Sequence, residues 1–165
     1  MRIRSLLGVF CLSVVSIAWA GEKIVPDLEF KNLGGPWFLR GAKVIEENGT
    51  KFVHLEGNKE TGIAALIHAP IPIEGSQQVK VSLRYRTDVA VSRGQSGAWV
   101  ALAFIMAEGT TKYEGVSLPL ETEWAAIEKV VDVPSGALKL QPQLRLQINE
   151  TNTLDARDIC IELLP

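Results

Sequence analysis

Cysteine is nearly absent: the 165-residue chain contains two, Cys11 and Cys160. Cys11 lies in an N-terminal segment that reads as removed on export, so no intrachain disulfide can form even in an oxidising compartment. Cys160, among Ile159, Ile161, Leu163 and Leu164, reads as a small apolar residue of the core. Histidine is equally scarce. His54 and His68 stand isolated in apolar strand patterns, without a second His or Cys at ligand spacing, which leaves no zinc-type site. Cationic residues are in slight deficit, 17 Lys and Arg against 19 Asp and Glu, so nothing points to a nucleic-acid partner. A serine nucleophile is also missing. Gly94-Gln95-Ser96-Gly97-Ala98 approaches Gly-x-Ser-x-Gly, but Ala98 replaces the last glycine and no strand-turn-helix context follows. Glu46 with Glu47, and Glu121 with Glu123, are neighbouring carboxylates that read as solvated rather than as a pair held across a cleft. The chain reads as a non-enzyme.

Apart from the nearly unbroken run Gly97 to Ala107, long apolar runs are lacking too, except at the N-terminus. There Arg2 and Arg4 precede an apolar stretch from Leu6 to Ile17 and the small-residue pattern Ala18-Trp19-Ala20. This is the pattern of a secretory signal, residues 1–20, cleaved before Gly21. Its apolar part is short for a membrane span and is followed directly by Glu22 and Lys23. Cys11 follows Phe10, where a lipoprotein would have a small residue. The expectation is an exported protein, periplasmic or secreted, with no membrane insertion after cleavage and one domain over residues 21–165.

The remainder shows no helical period. Short runs of Val, Ile, Leu and aromatic residues alternate with Gly, Pro, Asn and Ser, which predicts strands over 24–31, 42–46, 51–56, 62–71, 78–87, 97–107, 112–119, 124–133, 138–149 and 158–164. Asn48-Gly49 marks a hairpin, because both positions tolerate positive φ. Leu144, Leu146 and Ile148 alternate with Gln143, Arg145 and Gln147, the mark of a half-buried antiparallel strand. Many short strands with regular turns predict an all-β sandwich or barrel. The longest irregular stretch, Asp88 to Ser96, reads either as the rim of a site or as a mobile hairpin loop.

Several of these pieces occur in an order that resembles carbohydrate-binding modules of the galactose-binding-like jelly-roll type, the group associated with cellulases and xylanases. They are Trp124, the turn Val133-Pro134-Ser135-Gly136-Ala137, the strand Leu144-Arg145-Leu146-Gln147-Ile148 and the ending Arg157-Asp158-Ile159, with Arg157 where the group more often has Asp. Asp27-Leu28-Glu29-Phe30 and Gly35-Pro36-Trp37 extend the resemblance toward the N-terminus. It implies a jelly-roll β-sandwich of two antiparallel sheets and a glycan ligand. It also implies a structural calcium, held by Glu29 and Asp158 with backbone carbonyls. Arg157 could instead pair with Asp155 or Asp158 and replace the ion.

The residues themselves suggest where a ligand would sit. In 78–87 the odd positions Val79, Val81, Leu83 and Tyr85 suit the core, which leaves Lys80, Ser82, Arg84 and Arg86 outside. Gln143, Arg145 and Gln147 are left outside in the same manner. If these two strands share a sheet, Arg84, Arg86, Gln143, Arg145 and Gln147 form one platform of planar donors and amides for sugar hydroxyls. Sugar C–H faces also need an aromatic partner. Trp37 and Trp124 fall on scaffold positions of the resemblance and read as packing. Trp99 is the stacking candidate, in register with Ala101 and Ala103, while Val100, Leu102, Phe104 and Met106 point to the core. Alternatively both faces of that strand are buried. The leading expectation is recognition of a glycan by a stand-alone module; the alternative is a structural protein that uses the sandwich to bind an envelope protein partner.

Overall fold

The computed structural model describes residues 22–25, 36–57, 62–73, 75–90, 97–147 and 152–165. Their strands are β1 (Glu22–Val25), β2 (Trp37–Arg40), β3 (Ala42–Glu47), β4 (Thr50–Glu56), β5 (Ile63–His68), β6 (Ile71–Pro72), β7 (Gln78–Thr87), β8 (Gly97–Met106), β9 (Thr111–Leu118), β10 (Glu121–Asp132), β11 (Ala137–Gln147) and β12 (Thr153–Leu164). Two antiparallel sheets result. The first runs β10-β7-β12-β4-β3, with β1 beside the C-terminal half of β12; the second runs β2-β5-β11-β8-β9, with β6 beside the start of β11.

Alternation dictates which side chains meet between the sheets. Val79 and Val81 are fully buried and Leu83 and Tyr85 are 3% exposed, as their odd spacing predicts. From the facing sheet Val100, Leu102, Phe104 and Met106 meet them, with Leu140, Leu144 and Leu146 from β11. The hairpin at Asn48-Gly49 forms as expected, with φ of 51° and 75° and Glu47 paired to Thr50. Gly136, at φ 84°, closes the turn before β11.

Besides the expected strand 62–71, which divides into β5 and β6, two elements depart from the sequence reading. β2 has four residues and no alternation to betray it, since three of its residues are exposed. β12 starts at Thr153 rather than Asp158, because a bulge lies inside it. Its register against β7 shifts between Arg157 and Cys160, and Asp158 takes the left-handed φ of 53°. The extra residue changes the parity. Leu154 and Ala156 face the core before the bulge, and Ile159, Ile161 and Leu163 after it. Two periods of opposite phase are hard to read as one strand. Cys160 consequently sits on the outward side, half-buried, with Sγ 3.9 Å from Glu162 Oε1, and is not a core residue.

Candidate functional site

β7 belongs to the first sheet and β11 to the second. The expected single platform therefore does not form: Arg84 and Arg86 lie on one outer face, and Gln143, Arg145 and Gln147 on the other. The core stands between them, with the sheets about 10 Å apart. Alternation within each strand was legible in the sequence, but membership of a sheet is a long-range property.

On the first sheet's outer face Arg86 is committed to its neighbours. Its Nε donates to Asp155 Oδ2 at 2.7 Å and an Nη to Glu47 Oε2 at 3.1 Å. The Asp155 bond, more than any other influence, raises the guanidinium pKa above its ordinary value. Asp155 also holds His54 Nδ1 at 2.6 Å. Trp124 lies over this group, with Arg86 and Arg157 at 5.0 and 4.5 Å from its ring centroid and Phe52 edge-on at 5.5 Å. Trp124 thus packs as expected, but on cations outside the sandwich. Trp37 packs against the core and meets His68 edge-on at 4.6 Å, while His68 Nδ1 donates to the Ala69 carbonyl at 2.6 Å. Arg84 is exposed, opposite Ala126 and Arg157.

The second sheet's outer face holds the remaining predicted residues together. Trp99 pairs directly with Arg145 on one side and Ser117 on the other. It is half-buried, and its six-membered ring lies against Gly97: a methyl there would come within 2.6 Å of Cζ2 and 2.8 Å of Cη2. Ala101 and Gly115, one row on, leave the space beside the indole low. Arg145 Nε donates to Gln143 Oε1 at 2.6 Å, and Gln143 Nε2 donates to Gln141 Oε1 at 3.0 Å, so three side chains of β11 form a continuous polar ladder. The guanidinium carbon of Arg145 sits 5.3 Å from the centroid of Tyr113. Gln143 is 3% exposed, held within the ladder, while Gln147 is exposed at its end.

Sequence reasoning passed over Tyr113, Gln141, Arg40 and Phe38 on this face. Tyr113, Gly115 and Ser117 alternate with the core residues Val116 and Leu118, a signal that was available in the sequence. Phe38 and Arg40 sit on β2, which lacked one. Tyr113 and Phe38 are 58% and 60% exposed.

Of the expected calcium ligands, Glu29 lies outside the described residues. Asp158 is exposed at the bulge, with Oδ2 3.8 Å from Arg157 Nε. Among the described residues no group of three or more His, Cys, Asp or Glu is placed to hold a metal ion. The signal segment, Ser96 and the loop 91–96 also lie outside them. Among the described residues no helix is long and apolar enough to cross a membrane.

No family model and no curated protein sequence matches the chain. Solved structures do. The family 22 xylan-binding domain from Paenibacillus barcinonensis Xyn10C is similar with a TM-score of 0.64 at 13% identity, over 88% of this chain and 96% of that one. The family 11 carbohydrate-binding module from Clostridium thermocellum, solved with a β-1,3-1,4-mixed-linked tetrasaccharide, gives 0.55 at 16% identity, over 87% and 96%. The enzymatically active domain of bacteriophage CBA120 tailspike protein 4 gives 0.59 at 13% identity, but the match spans only 20% of that chain. The jelly-roll β-sandwich that the resemblance implied is thus the fold observed, shared with carbohydrate-binding modules.

Proposed function

We propose that this protein is a non-catalytic glycan-binding module, exported by its N-terminal segment, that takes a saccharide chain on the outer face of the β2-β5-β11-β8-β9 sheet. The observation that carries this reading is the placement of Trp99, Arg145 and Tyr113 on one face, connected through the Gln141–Gln143–Arg145 ladder. An indole resting on a glycine offers a rigid apolar surface for a sugar ring at little entropic cost. The guanidinium and the Gln141 amide supply planar donors and acceptors, pre-set by their hydrogen bonds to the buried Gln143, so fewer rotamers are lost on binding. The structural neighbours matched over almost their whole length are themselves binding modules, which supports this reading and a non-enzymatic role. Arg84 and Arg86 take no part in it.

Calcium belongs to the proposal through Glu29 and Asp158, and chelation tests it: EGTA is expected to lower the melting temperature, and an unchanged melt removes the ion. Binding itself is tested by affinity electrophoresis in gels containing xylan, mixed-linkage β-glucan or polygalacturonate. Retardation is expected in at least one gel, lost in Trp99→Ala and Arg145→Ala while both variants keep the wild-type melt. A second reading, an envelope protein partner, has its own observation: the edge strand β2 exposes both Phe38 and Leu39, at 60% and 43%. A folded protein that binds no polysaccharide, and that loses a co-purifying envelope partner in Phe38→Ser, would favour it.

A further inference from the structure

Charge is distributed unequally between the sheets. In the strands β2, β5, β6, β8, β9 and β11 the sole carboxylate is Glu114, which pairs with Leu102 and so lies on the core-facing side of the edge strand β9. The outward positions of the same strands carry Arg40, Lys139 and Arg145, and no Asp or Glu. On the opposite sheet several cations meet carboxylates: Lys80 meets Glu162 at 2.6 Å, Arg86 meets Asp155 and Glu47, and Lys43 meets Glu56 at 4.0 Å. This segregation occurs in a chain whose formal net charge is −2.

Arg145 makes the contrast chemical. It is half-buried on the central strand of the sheet, its Nε is used by Gln143 and its plane lies near Tyr113, while among the described residues no carboxylate approaches it. A partly desolvated guanidinium without a counter-charge is unfavourable on its own and gains most from an anion that arrives with the ligand. The terminal nitrogens, held in place through Nε, present the fork that grips carboxylate or sulfate in two parallel bonds. Arg40 stands in the same row on β2, separated by Ala65 of β5, so the two cations are two strand spacings apart, roughly 10 Å.

We propose that the ligand of this face is an anionic polysaccharide, with a uronate carboxylate or a sulfate ester seated on Arg145 and a second anionic group of the same chain near Arg40. This rests on the glycan-binding reading and narrows its ligand class. The test is affinity electrophoresis in polygalacturonate, alginate and a sulfated galactan, against fully methyl-esterified pectin, xylan and mixed-linkage β-glucan, at low and high salt. At least one anionic gel is expected to retard the protein about tenfold more strongly than its neutral counterpart, with retardation falling as salt rises. The uronate and sulfate gels tell the two anions apart. Arg145→Gln combined with Arg40→Gln is expected to reduce anionic binding at least tenfold, while Arg145→Lys retains part of it and the melting temperatures confirm folding. Equal binding of neutral and anionic chains, or full anionic binding by the double Gln variant, overturns the anionic assignment but leaves glycan binding standing. Retardation in no gel overturns both.

Discussion

Gly97 and Trp99 impose one demand from two directions. Gly97 has a φ of 154°, which side-chain-bearing residues rarely adopt, and its missing side chain is the space the indole occupies. Gly97→Ala is therefore expected to cost about 2 kcal/mol by urea denaturation and to displace Trp99, seen as a shift in tryptophan emission and a loss of glycan binding. Gly115→Ala is the control, because its methyl would lie 4.0 Å from Trp99 Cδ1, an ordinary contact, and stability should hold. Tyr85 gives a prediction in pH. Burial, and then the charge of Glu121, raises its pKa above the ordinary value. The folded state thus disfavours phenolate, and the stability present below the unfolded pKa of about 10 is lost as pH rises above it. Thermal melts should fall in that alkaline range, and less steeply in Tyr85→Phe. The outward placement of Trp99 was legible in its alternation with Val100 and Leu102, whereas the support from Gly97 was not, since a glycine at a strand start has many explanations.

Between elements, the ion pairs of the first sheet work as cross-strand ties. Asp155 on β12 joins His54 of β4 to Arg86 of β7, and Arg86 reaches on to Glu47 of β3. Asp155 has a side chain only 9% exposed, so removing it leaves a cation with its main partner gone. Asp155→Ala is expected to destabilise by about 3 kcal/mol. Glu47→Ala, at a side chain 52% exposed, should cost no more than about 0.5 kcal/mol; equal losses in the two urea titrations would show that the network acts as a unit. None of these contacts could be read from spacing: His54 and Asp155 are 101 residues apart. The bulge at Asp158 was concealed for a related reason. A single added residue reverses which parity of β12 faces the core, and sequence alternation alone cannot tell a bulge from the end of a strand.

For the molecule as a whole, the division into two sheets is what separates structure from proposed function. The two outer faces point in opposite directions, so substitutions on them should act independently. Arg84→Gln is expected to leave polysaccharide retardation unchanged while Arg145→Gln weakens it, and the double variant should match Arg145→Gln alone. A loss of binding in Arg84→Gln would mean that the ligand engages the other face. The sequence by itself determined most of the strands, the core parity of β7, β8 and β11, the hairpin at Asn48-Gly49 and the outward direction of Trp99 and Arg145. All of these follow from the two-residue period of a strand or from turn chemistry, which act over a few neighbours. Only the tertiary structure decided that β7 and β11 lie in different sheets, that Tyr113 and Arg40 join Arg145, and that carboxylates gather on one sheet and not the other. Those outcomes depend on pairing between strands far apart in the chain, where many arrangements satisfy the same local pattern and the packing of the whole core selects one.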